Sequence, residues 1–113
     1  MVQHLHTLFG AGLILASLLP CSAALADVPS PGRQGQLEHL LVQDCGSCHG
    51  LRMTGGLGPA LTRDAIADTP RANLIATVTY GRPGTAMPGW SALLDEHDIA
   101  WLVDLLLEGY PQP

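Results

Sequence analysis

Apolar residues recur at helical spacing in three stretches of the chain. Leu37, Leu40 and Leu41 form the first set and predict a helix over Leu37–Asp44. Leu74, Ile75 and Val78 form the second, behind Thr69-Pro70, which reads as an N-cap with proline at the first helical position. That stripe ends near Gly81. Ile99, Leu102, Val103 and Leu106 form the third and clearest set. Asp95 is placed to cap it, Asp98 stands three residues on in a capping-box-like arrangement, and Gly109 stops it. A short helical turn is expected over Asp64–Asp68. No stretch alternates apolar and polar positions as a half-buried strand would. The pattern predicts a small all-α domain of three to five helices. Its loops are long: Gly50–Pro59 is rich in glycine, and Arg82–Trp90 holds two prolines and two glycines. Loops of that length without their own secondary structure usually wrap something.

The N-terminal stretch has a different character. Leu8–Leu19 is an apolar run of about a dozen residues closed by Pro20, too short to span a bilayer comfortably. Ala24-Leu25-Ala26 matches the small-x-small pattern of a signal cleavage site. Residues 1–26 read as a secretory signal, with Asp27 as the mature N-terminus, although the leading segment carries no Lys or Arg. An uncleaved anchor is the alternative; a lipoprotein signal ending at Cys21 fits less well because Pro20 precedes it. Asp27–Gln36 is rich in Pro and Gly and reads as a flexible lead-in, and residues 37–113 as the domain proper. No second apolar stretch is long enough to span, so no membrane contact is expected after cleavage.

Removing 26 residues from 113 leaves 87, a size at which a core often needs a staple. Cys21 would leave with the signal, and Cys45 and Cys48 are too close in sequence to close a long loop. The balance of charge is acidic: five Arg, no Lys and ten Asp plus Glu give −5. That argues against nucleic acid as a partner, because phosphate binding needs clustered cations.

Cys45-Gly46-Ser47-Cys48-His49 supplies the staple. Cys-x-x-Cys-His reads as a c-type haem attachment site. Two thiols at this spacing add across the two vinyl groups of one haem as thioethers, and the adjacent imidazole falls under the iron as the proximal ligand. A thioredoxin-like dithiol would need a βαβ context that the pattern lacks. A zinc site would want four ligands, and neither His39 nor His97 stands at a zinc-like spacing. An export signal agrees with haem c, since bacteria attach it outside the cytoplasm; a periplasmic location follows.

The second axial ligand is expected from Met87, which lies in a Gly/Pro-rich loop 38 residues after His49. Pro88 would stiffen that loop. A core-filling role for Met87 is the alternative. Met53, four residues from His49, is assigned to packing on the proximal side, and His39 and His97 to surface or capping positions.

Cys45–His49, Gly58-Pro59-Ala60-Leu61, Gly84-Thr85-Ala86-Met87-Pro88 and the closing helix Asp95–Leu107 together resemble a class I monohaem cytochrome c. The resemblance spans Gln36–Glu108. It implies one haem c, a proline carbonyl at Pro59 accepting a hydrogen bond from His49, and a first helix crossing the last, with Leu37–Leu41 against Ile99–Leu106. Many members carry an aromatic where this chain has Leu105; Trp101 stands four residues earlier. Gln43–Pro59 with Arg82–Pro88 is more narrowly similar to the NirC-type cytochromes of denitrification clusters, also called cytochrome c55X. That likeness implies periplasmic redox partners, notably the haem d-containing nitrite reductase, either as acceptor of electrons or through maturation of its haem.

Charge is unevenly placed. Residues 27–90 carry five acids and five Arg, whereas residues 91–113 carry five acids and no base. The last helix is expected to form an acidic wall, with Arg52, Arg63, Arg71 and Arg82 in or beside the central loops. Such a dipole would orient the haem edge toward a partner, through an exposed rim of Met53, Leu57, Pro83, Ala86 and Pro88. Arg82 and Trp90 are candidates to hold a propionate. The reading is an electron carrier and not an enzyme, since His/Met ligation fills both axial positions. An enzyme or gas sensor with a labile sixth ligand is the alternative, but the loops offer no distal acid/base pair.

Overall fold

The computed structural model describes residues 28–110. The expected signal segment and its cleavage point lie outside these residues. Within them the chain is helical, and no helix is long and apolar enough to cross a membrane.

Helix α1 spans Pro31–Leu40, so the segment expected as a flexible lead-in is instead largely helix. The local signals are Ser30, whose Oγ accepts from the Arg33 N–H at 3.4 Å, and Pro31 at the first helical position. Gly32 and Gly35 argue against a helix on propensity alone. Two tertiary anchors override them. Leu37 is fully buried, and the Arg33 guanidinium grips both carboxylate oxygens of Asp98, with Nε 3.1 Å from each and Nη2 closing on Oδ2.

The expected helix through Asp44 continues as one wide turn of π-helix, Leu41–Cys45, and then as the short α2, Gly46–His49. The Gly46 N–H reaches back to the Leu41 carbonyl across that turn. Single π turns of this kind cluster at functional sites. After the Gly50–Pro59 loop come α3 (Arg63–Ile66) and α4 (Arg71–Tyr80), the latter starting one residue later than expected, with Pro70 at the cap position.

Helix α5, Glu96–Glu108, follows the sequence pattern closely. Asp95 Oδ1 accepts from the Asp98 N–H at 2.8 Å, and Gly109 closes the helix in the left-handed region at φ 99°. Its stripe of Ile99, Leu102, Val103 and Leu106 is buried. Leu37 and Leu41 join Ile99, Leu102 and Leu106 in one cluster with Met53, Ile66 and Leu94, so the first and last helices do pack together. Both Trp101 and Leu105 are half-buried against this cluster. Helices α3 and α4 also pack on α5, which makes α5 the spine of the domain.

Candidate haem site

The attachment turn is built from the end of α2 outward. A four-residue helix leaves most of its terminal carbonyls without intrahelical partners. Here the following loop supplies them: the Gly58 N–H donates to the Cys48 carbonyl and the Gly55 N–H to the His49 carbonyl, both at 2.8 Å. The neck of the loop is tied twice through Met53, whose N–H donates to Gly50 O at 2.9 Å and whose carbonyl accepts from the Leu61 N–H at 2.8 Å. Met53 adopts φ 58°, a left-handed conformation unusual for a residue with a side chain, and is fully buried. It is therefore a packing residue and not part of an exposed rim.

This folded-back loop aims Pro59. Its carbonyl oxygen lies 2.7 Å from His49 Nδ1, the contact that the resemblance implied. A carbonyl only accepts, so Nδ1 carries the proton and donates it, which leaves Nε2 with its lone pair. His49 is 9% exposed, and among the described residues Nε2 has no hydrogen-bond partner. Such a hydrogen bond fixes the tautomer and ring orientation of a metal-binding histidine and raises its basicity. Gly58 makes the approach possible, because a Cβ there would stand 2.8 Å from His49 Cε1.

Cys45 and Cys48 are both unpaired and half-buried. Burial, and secondarily the Asp44 carboxylate, push the Cys45 thiol up to about 11.

Met87 is half-buried in a loop pinched at its base. The Arg82 N–H donates to the Met87 carbonyl at 3.1 Å, Thr85 Oγ1 accepts from the Met87 N–H at 3.2 Å, and Trp90 N–H returns to the Val78 carbonyl at 2.9 Å. Gly81 and Gly89 form the crossing. A Cβ on Gly81, which has φ 69°, would meet Met87 O and Gly89 N at 2.6 Å. Leu61, Leu74, Ile75, Val78 and Trp90 are half-buried apolar groups packed on the core. The donor set suits a c-type haem: two thiols on one helical turn, an imidazole with a free Nε2, and a thioether on a braced loop. His39 and His97 are exposed.

The expected acidic wall on α5 is reduced by pairing. Asp98 is held by Arg33, and Asp104 by Arg71, with Nε 2.5 Å from Oδ1 and Nη2 2.7 Å from Oδ2. Arg63 donates to the Leu107 carbonyl at 3.2 Å. Sequence reading missed these pairings because each partner lies 33 or more residues away.

Fold and site define a c-type cytochrome, and comparison with known proteins agrees. Residues 32–106 match the family described as cytochrome c oxidase, cbb3-type, subunit III. The chain belongs to the cytochrome c55X family: it is 70% identical to cytochrome c55X of Stutzerimonas stutzeri over 108 residues, 96% of each chain. The solved structure of c-type cytochrome NirC aligns with a TM-score of 0.73 and 61% identity, over 75% of this chain and all of that one. A dihydro-heme d1 dehydrogenase of Pseudomonas aeruginosa is 32% identical over 89% of this chain, but over only 19% of its own length. Membership in a c-type family implies covalently bound haem c.

Proposed function

We propose that the chain is a periplasmic electron carrier holding one haem c, with Cys45 and Cys48 as thioether donors and His49 and Met87 as axial ligands. The observation that carries this reading is the 2.7 Å contact of His49 Nδ1 with Pro59 O beside two free cysteines at haem-attachment spacing. The haem supplies the one-electron Fe(III)/Fe(II) couple. The protein's own residues do the rest. Pro59 orients the imidazole and makes Nε2 a better donor. Gly58, Gly81 and Gly89 let the two ligand-bearing loops close tightly. Pro88 and the Arg82–Met87 backbone bond limit the freedom of the thioether, so that reorganisation on electron transfer is small.

The partner in this reading is an enzyme of haem d1: the nitrite reductase that uses it, or a protein that matures it. The likeness to cytochromes c55X and to a dihydro-heme d1 dehydrogenase supports that choice, and residues 1–26 supply the export signal.

The visible spectrum of periplasmically matured protein tests the proposal. A weak far-red charge-transfer band in the ferric form, lost in Met87→Ala, is the expected result. A high-spin ferric wild type that binds cyanide rapidly would overturn Met87 ligation and favour a sensor or enzyme. Intact mass tests the rest: the chain from Asp27 plus one haem is expected.

A further inference from the structure

Residues 28–30, which carry the chain into α1, are held in place. Gln34 Nε2 donates to the Pro29 carbonyl at 2.9 Å, Ser30 caps the helix, and Arg33 clasps Asp98 on α5. Val28 and Pro29 line one side of a groove on α5. His97, Trp101 and Asp104, at helical spacing on one face of α5, line it as well, and Arg71 joins them from the first residue of α4. Among the described residues, those lining the groove come from neither loop of the candidate haem site. Its volume is about 100 Å³. That is well below the roughly 300 Å³ at which small-molecule pockets begin, but ample for a single charged group.

We propose that the α-ammonium of Asp27, created when residues 1–26 are removed, docks in this groove against the Asp104 carboxylate and beside the Trp101 indole. This rests on the export reading, in which the mature chain starts at Asp27. Asp27 lies outside the described residues, but one peptide bond joins it to Val28. Its α-nitrogen is therefore within about 5 Å of the Val28 Cα whatever the dihedral angles. Such a short tether makes the encounter intramolecular, at a high effective concentration. In the uncleaved chain that nitrogen is a neutral amide, and after cleavage it is a cation. Asp104 has capacity for it: a carboxylate offers about four lone-pair sites, and Arg71 takes one on each oxygen. Asp27 also carries its own β-carboxylate, which the Arg71 guanidinium complements. The residue thus extends the Arg71–Asp104 pair at both signs of charge, and half-buried Trp101 supplies an aromatic wall that attracts cations. The tie between the start of the chain and α5 exists only in the processed protein.

The composition makes the test selective. The chain contains no lysine, so the α-amino group is the one primary amine of the mature protein. Reductive methylation of the ferrous holoprotein with ¹³C-formaldehyde labels that amine alone and keeps its positive charge. Nuclear Overhauser cross-peaks from the labelled methyl groups to the Trp101 indole are expected. The amine should titrate about half a pH unit above that of a labelled peptide of residues 27–36, because a nearby carboxylate favours the charged form. Asp104→Asn leaves Arg71 as the charge at that place, so there the amine should titrate below the peptide and the cross-peaks should be lost. His97, with Glu96 beside it, is the other titratable group at the groove; His97→Gln should keep the cross-peaks. An unchanged visible spectrum confirms that the variants are intact. Absent cross-peaks, or an amine that titrates with the peptide, overturn the proposal. Trp101 signals that move with protein concentration overturn it too and give the groove to a second copy of the chain. Intact mass separates the two readings. A chain that does not start at Asp27 overturns the export reading and the proposal together, whereas a correct mass with any of the other failures overturns the proposal alone.

Discussion

Gly58 lies against the His49 ring so closely that a methyl group there would stand 2.8 Å from Cε1 and 2.9 Å from Nδ1. No ordinary carbon contact is that short. Gly58→Ala must therefore turn the ring or lift the loop, and either move stretches the bond to Pro59. Losing a hydrogen bond that favours the ferric ion through a more basic imidazole should raise the reduction potential. A differential of about 1 kcal/mol corresponds to on the order of 40 mV for one electron. Voltammetry of wild type and variant checks this; an unchanged potential would show that the contact does not tune the iron.

The pinched base of the Met87 loop can be tested separately from the proposed thioether ligand. Gly81→Ala puts a methyl 2.6 Å from backbone atoms of Met87, Pro88 and Gly89, in a left-handed conformation. Gly84 also has positive φ, at 79°, but a Cβ there meets nothing within 4 Å. Gly84→Ala should cost only the conformational penalty of about 1 kcal/mol. Gly81→Ala should in addition displace Met87 and give a mixed-spin ferric spectrum at neutral pH. Equal spectra for the two variants would argue against the crossing as the brace.

Asp98 gives a pH signature. The hydrogen bonds from Arg33, reinforced by its charge and by a hydrogen bond from the Asp95 backbone, hold the Asp98 carboxyl below the ordinary carboxylate range. A carboxylate depressed on folding adds stability that is complete above its unfolded value of about 4 and is lost as pH falls through the folded value. Asp98→Asn should lower the melting temperature by roughly 5 °C at neutral pH. That gap should hold down to about pH 5 and close below about pH 4. A gap constant through pH 3 would assign the loss to packing rather than charge.

Leu37 is fully buried among Leu41, Ile99 and Leu102, where α1 meets α5. Leu37→Ala removes a core side chain and should cost about 2–5 kcal/mol. Denaturant unfolding of the holoprotein measures it. A cost below about 1 kcal/mol would mean that the α1–α5 contact adds little.

Legibility in the sequence followed the range of the interactions involved. Helix α5 was readable because its cap, stripe and glycine stop are all local, and the structure reproduces each within a residue or so. The haem-attachment reading rests on a pentapeptide whose spacing is imposed by covalent chemistry, so it needs no fold to be recognised. The long glycine and proline loops announced themselves by composition, and the loop from Gly50 does fold back onto the attachment turn.

What the pattern hid depended on distant partners. Residues 31–36 look like a lead-in until Arg33 is seen closing on Asp98, 65 positions away. Met53 reads both as a packing residue beside His49 and as part of an exposed rim; the fold decides for packing, with the side chain fully buried at φ 58°. The π turn at Leu41–Cys45 has no local signature in the residue pattern. Charge shows the same division. The chain alone gives an acidic C-terminal segment, whereas folding pairs Asp98 and Asp104 and leaves Arg52 and Arg82 exposed on the loops of the site. Local chemistry and periodicity are written in neighbouring residues; which charges cancel and which remain is settled only when the helices come together.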